Sequence, residues 1–186
     1  MILPVTVYGD PLLRNDAKPI EKEFEGLNEL IANMFETMYN ADGVGLAAPQ
    51  IGQSIRLFIV DAAEAADEEE PDLKDFKKVF INPKIVESKG EPWEMEEGCL
   101  SLPNIREKVT RPEEVTINYF DENWVEKTET YHGFAARIIL QEYDHLLGKL
   151  FVDYISPLRR KLLKGKLTAI TTGKAKVAYR IKIPRS

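Results

Sequence analysis

The chain has 186 residues, 44% of them hydrophobic and 30% charged. That is enough for one domain to bury a core without crosslinks. A single cysteine excludes an internal disulfide, and no stretch approaches the 18 apolar residues of a membrane helix. The start, Met1-Ile2-Leu3-Pro4-Val5, lacks a basic region before an apolar run, so the expectation is a soluble, cytoplasmic protein with no membrane partner.

The net charge of −6 conceals an asymmetry. Of the 25 Lys and Arg, ten fall within residues 159–186, which hold no acid; the remaining 15 face 31 Asp and Glu, a charge of −16. A basic tail on an acidic body predicts either packing of tail on body or contact with nucleic acid, ribosomal RNA in the first place.

In chain order, an extended N-terminal segment through Leu12-Leu13 and Pro19-Ile20 precedes apolar residues at Leu27, Leu30, Ile31, Met34, Phe35 and Met38. That spacing predicts an amphipathic helix ending near Tyr39, with its stripe in the core. Gly43-Val44-Gly45-Leu46-Ala47-Ala48 fits a dinucleotide fingerprint by letter, but a helix precedes it and Pro49 would interrupt the helix it must open. The glycines instead suit close approach of backbone to a ligand. Ser54–Val60 reads as a buried strand, and the acidic run Ala62–Lys74 as an exposed, mobile loop. Val79–Pro83 and Lys84–Val86 form short extended runs. Val115, Ile117 and Tyr119 alternate with polar residues, and a turn at 121–123 returns the chain through Tyr131 as a hairpin. A helix follows over Ala135–Leu147, with Gly148 as its C-cap. Pro157 to about Ile170 predicts a second, basic helix, and Val177–Ile183 a last strand with one apolar and one basic face. Strands interspersed with isolated helices indicate the α+β class.

The helix Ala135–Leu147 carries the chemistry. Residues four apart lie on one helix face, so a pair of ligands at i and i+4 with a glutamate between them suits a metal hydrolase. Here Glu142 and His145 hold that spacing, and Gln141 stands where the first histidine would be. His132 cannot replace it, since 13 residues of continuous helix span about 20 Å.

Three stretches, Gly43-Val44-Gly45-Leu46-Ala47-Ala48-Pro49-Gln50-Ile51-Gly52, Glu97-Gly98-Cys99-Leu100-Ser101-Leu102-Pro103 and Gln141-Glu142-Tyr143-Asp144-His145, together resemble the signature motifs of peptide deformylases. The resemblance covers residues 1 to about 156 and departs from the family pattern at Gln141. It implies an α+β fold of short antiparallel sheets packed around a central active-site helix. A catalytic domain over 1–156 would be followed by a basic extension, 157–186, packed on or continuing it.

The implied activity is hydrolytic removal of the N-formyl group from the initiator methionine of nascent polypeptides, at one divalent metal, Fe²⁺ or Zn²⁺. Cys99, His145 and Gln141 would face the metal, Glu142 would move protons, and the Gln50 amide and Leu100 N–H would bind the oxyanion. Backbone at Val44 and Gly45 would pair with an extended N-formyl-methionyl peptide. Phe134 and Ile138 either line its methionine pocket or belong to the core. An amide oxygen is a weaker donor than imidazole for transition metals, so the alternative is a catalytically silent homologue that binds peptides. A zincin-type protease would also need the missing histidine and has no use for Cys99.

Overall fold

A computed structural model of the chain describes residues 1–184, so Arg185 of the basic tail lies outside the described residues. The extended start holds a two-residue strand, β1 (Val5–Thr6), and leads to helix α1 (Leu27–Asn40). The α1 stripe Ile31, Met34, Phe35 and Met38 is buried, as its spacing requires. Strand β2 (Gly45–Ala47) and strand β3 (Leu57–Asp61) follow, then a 13-residue strand, β4 (Lys77–Lys89). A hairpin pairs β5 (Trp93–Cys99) with β6 (Leu102–Arg111), and a second pairs β7 (Glu114–Phe120) with β8 (Glu126–His132). Helix α2 (Gly133–Leu146) carries the site motif. Two short helices, α3 (Pro157–Leu162) and α4 (Lys164–Thr171), and a two-residue strand, β9 (Ile181–Lys182), complete the order.

Five strands form one antiparallel sheet in the order β2-β3-β4-β7-β8, with helices on opposite faces. Phe58 and Val60 of β3 share a core with Ile138, Ile139 and Leu146 of α2, whereas Leu57 and Ile59 pack with Met34 and Met38 of α1. Alternation along one central strand therefore divides the core in two. Each large apolar side chain buried there contributes about 1.5–3 kcal/mol. The β5–β6 hairpin lies against the other side of α2, so the helix is held between two sheets. A third cluster joins Leu102 and Ile105 of β6 to Phe151, Leu163, Leu167 and Ile170.

Several expectations change. The two runs around Pro83 are one strand, β4, whose register shifts between Ile81 and Lys84; Asn82 takes φ 48° there, and its side chain both donates to and accepts from the Ile20 backbone. The acidic run is not a free loop. It makes two short 3₁₀ turns, Ala63–Ala65 and Pro71–Asp75, buries Ala62 and Leu73, and uses Glu70 to accept from the Phe134 N–H at the start of α2, 2.8 Å. A carboxylate there opposes the positive end of the helix dipole. The single basic helix is two, broken at Leu163. Among the described residues of the tail only Ile181–Lys182 is strand, and it pairs in parallel with β1. Gly148 ends α2 at φ 69°, with the Lys149 N–H donating to the Asp144 carbonyl at 2.9 Å.

Candidate active site

Helix α2 and the end of β5 build the site. The β5–β6 turn breaks register between Gly98 and Cys99, so Cys99 pairs with Leu102 while Gly98 pairs with Arg106. This irregularity turns the Cys99 sulfur toward α2, where it lies 3.3 Å from His145 Nε2. Gln50 comes from a 3₁₀ turn after β2. Its Oε1 accepts from the Ala47 N–H, which leaves Nε2 directed at Cys99 Sγ, 3.3 Å, and Ser101 Oγ, 3.1 Å. Gln141 Nε2 donates to the Gly98 carbonyl at 2.7 Å.

These groups meet at a cavity of about 410 Å³ whose walls include Val44, Gly45, Gln50, Cys99, Phe134 and Glu142, with Leu100 and Gln141 beside them. The Gly45 position has no room for a side chain: a Cβ there would stand 2.7 Å from Glu142 Oε1. Two of the expected residues are not part of its walls. Ile138 does not line the cavity; it is buried in the core with the sheet-facing side of α2, because the apolar face of the helix belongs to that sheet. His145 sits behind Cys99, 2% exposed. His132 is exposed at the end of β8 and pairs with Glu114.

Burial disfavours charge throughout. It raises the Glu142 carboxyl to about 8, against the pull of Arg111 and with a further push from Glu97 and Asp144. It raises the Cys99 thiol to about 12, helped by Glu142, and lowers the His145 imidazole to about 3. Glu142 Oε2 and His145 Nδ1 are buried without a hydrogen-bond partner among the described residues.

A divalent ion fits this donor set with one compromise. Two ligands of a tetrahedral zinc stand about 3.5 Å apart, close to the Cys99–His145 separation. Among the described residues no three His, Cys, Asp or Glu side chains gather for an ion, and Gln141 stands at the position expected to carry the third donor. With its nitrogen bound to Gly98, the amide has Oε1 as its remaining acceptor.

An ion-pair network that the sequence did not reveal supports both ligand-bearing elements. Arg111 of β6 grips Glu97 through Nε, 2.6 Å, and Nη2, 2.9 Å, and reaches Asp144 through Nη1, 2.9 Å. Glu97 is two residues before Cys99, and Asp144 one before His145. Arg137 also donates to Glu97 and to the Trp93 and Val109 carbonyls, with its guanidinium 4.2 Å over the Trp93 ring. Burial alone would lower the Arg111 pKa, but the Glu97 and Asp144 carboxylates outweigh it and the pKa is raised. Glu97 stood inside a recognised motif; Arg111 had no local pattern to mark it.

Comparison with known proteins agrees. Residues 2–161 match the family described as polypeptide deformylase. A peptide deformylase of Christiangramia forsetii is 53% identical over the whole of this chain and 98% of its own length. The crystal structure of a peptide deformylase from Legionella pneumophila superposes with a TM-score of 0.81 at 41% identity, covering 95% of this chain and 99% of that one. A Met-Ala-Ser-bound class I type b peptide deformylase from Acinetobacter baumannii gives 0.76 at 36% identity, covering 83% and 99%. The chain belongs to the polypeptide deformylase family of metal-dependent hydrolases.

Proposed function

We propose that this chain removes the formyl group from N-formyl-methionyl peptides at a single divalent ion, Fe²⁺ or Zn²⁺, held by Cys99, His145 and the Gln141 oxygen. When bound, the ion supplies a Lewis acid and an acidified water for attack on the formyl carbon. Glu142 holds the proton released in that attack and delivers it to the leaving amine; its raised pKa suits transfer in both directions near neutrality. The Gln50 amide, fixed by Ala47, and the Leu100 N–H donate to the oxyanion. β2 is an edge strand of the sheet, so the outer side of the backbone from Val44 to Gly45 would align an extended peptide with little regard for sequence, while the Val44 carbonyl accepts from the Asp61 N–H on the sheet side at 2.9 Å. Phe134 forms the apolar wall for the methionine side chain.

One observation carries the reading: Cys99 Sγ and His145 Nε2 stand 3.3 Å apart beside the unpartnered Glu142 carboxylate. Gln141 weakens the ion's hold and makes turnover depend on metal supply. Formate release from formyl-Met-Ala-Ser, measured with and without added Fe²⁺ or Zn²⁺, tests it. Release should rise with metal and vanish in Glu142→Gln. No release with either ion would refute the activity.

No helix among the described residues is long and apolar enough to cross a membrane, and a cytoplasmic setting suits action on new chains. The basic extension continues the catalytic fold through Leu163, Leu167 and Ile170. Lys161, Lys164, Lys166, Lys174, Lys176, Arg180 and Lys182 are exposed and join no ion pair among the described residues, whereas Arg159 pairs with Glu107. Those exposed charges suit ribosomal RNA, and binding to ribosomes that weakens steeply with salt is the expected result.

A further inference from the structure

The C-terminal extension reaches the active site. Tyr179 lines the same cavity as Cys99 and Glu142, and its hydroxyl donates to the Leu100 carbonyl at 2.7 Å. The segment bearing it is tied on both sides. Asn104 Nδ2 donates to the Lys176 carbonyl at 2.9 Å, and the Val5 N–H to the Arg180 carbonyl at 2.9 Å, where β9 joins β1. Tyr179 therefore arrives at Leu100 on a fixed strap.

The turn it meets needs external support. Register breaks between Gly98 and Cys99, and Asn104 takes φ 63° in the looped-out stretch opposite, so the Cys99–Leu102 pair that closes the turn is cut off from the rest of the hairpin ladder. Bonds from outside the hairpin brace it. Gln141 fixes the preceding peptide through the Gly98 carbonyl, and Tyr179 fixes the following one through the Leu100 carbonyl. The Tyr8 N–H holds the Ser101 carbonyl at 2.8 Å, and Ser101 Oγ donates to the Thr6 carbonyl at 2.7 Å. The peptide between the two clamped planes is the one that carries the Leu100 N–H.

We infer that Tyr179 is a positioning residue for the oxyanion-binding peptide, which makes the basic extension part of the catalytic unit. The inference rests on the deformylase reading above. A preorganised donor is worth its full effect only while its direction is fixed, and small misplacements in a site cost rate without costing substrate affinity.

Tyr179→Phe removes the hydroxyl and keeps the ring. At matched metal content it should lower kcat for formyl-Met-Ala-Ser about tenfold, with KM changed less than about twofold and a melting temperature lowered by no more than about 4 °C. If the chain turns over too slowly to assay, calorimetry supplies the readout. A tetrahedral phosphonate analogue of the formyl group should bind about tenfold more weakly in Tyr179→Phe, while the affinities of formyl-Met-Ala-Ser and Met-Ala-Ser stay unchanged. A lower melting temperature with unchanged kcat and unchanged affinity for the tetrahedral analogue would make the bond a mere tether and overturn the inference alone. A parent chain that binds neither peptide and releases no formate would overturn the deformylase reading, and this inference with it.

Discussion

Gln141 Nε2 donates to the Gly98 carbonyl at 2.7 Å, which fixes the one side chain in the proposed ligand set that departs from the family pattern. A histidine at this position has similar reach. It can keep one ring N–H on Gly98 and give its other nitrogen to the ion, the arrangement that orients metal-bound imidazoles generally. Gln141→His should therefore tighten Zn²⁺ binding at least about tenfold in equilibrium dialysis. Formate release should rise by a similar factor, with stability changed by less than about 1 kcal/mol. A parent already saturated and fully active without added metal would show the amide to be an adequate ligand.

Gly45 gives the second prediction. A Cβ there would lie 2.7, 2.8 and 2.9 Å from Glu142 Oε1, Cγ and Cδ, so Gly45→Ala must displace the carboxylate. Formate release should fall roughly a hundredfold, the effect of moving a reacting group by about 1 Å. Zn²⁺ affinity should change little, because the three atoms nearest the new methyl all belong to Glu142. An equal loss of metal would mean that the damage had spread to the ligands.

Helix α2, with Glu142 and His145 on it, could be read directly, because a 3.6-residue period and a local motif coincide there. The β5–β6 hairpin could not. Its inward positions on β6 include Glu107 and Arg111 as well as Leu102, Ile105 and Val109, so charged residues mask the alternation. Arg111 finds Glu97 and Asp144 across 14 and 33 residues, a separation that no local pattern encodes. Composition misled at Glu70, where an acidic run looks solvated although one carboxylate caps α2. It also concealed Tyr179, the one described residue of the basic tail that lines the cleft.

Arg14 and Asp153 join the N-terminal segment to the stretch after α2, through bonds of 2.6 and 3.1 Å. Burial raises the Asp153 pKa, but Arg14 and the Leu150 N–H outweigh it and hold the group below its ordinary 3.8. A carboxyl whose folded pKa is depressed adds stability above its unfolded pKa and loses it as pH falls through the folded value. Asp153→Asn should therefore be less stable at pH 7 by about 1 kcal/mol, a modest figure because the pair is partly exposed. The difference should close in acid, as pH drops below 3.8. Urea curves that keep the same separation at both pH values would contradict this.

The Arg111 clamp gives the sharpest test of how the ligands are held. Its guanidinium bonds to Glu97 and Asp144, and Tyr154, whose ring lies 5.0 Å from it, donates its hydroxyl to Asp144 at 2.9 Å. Arg111→Met preserves much of the volume but strands two buried carboxylates, at a cost of about 3–5 kcal/mol. Arg137 continues to compensate Glu97, so the Asp144 charge is the larger liability. Adding Asp144→Asn should then recover part of the loss, a coupling that a double-mutant cycle in urea measures directly. Zn²⁺ affinity separates two roles for the clamp. If Arg111 aligns Cys99 with His145, the double variant should regain stability while its metal binding stays weak. Recovery of both together would reduce Arg111 to charge compensation.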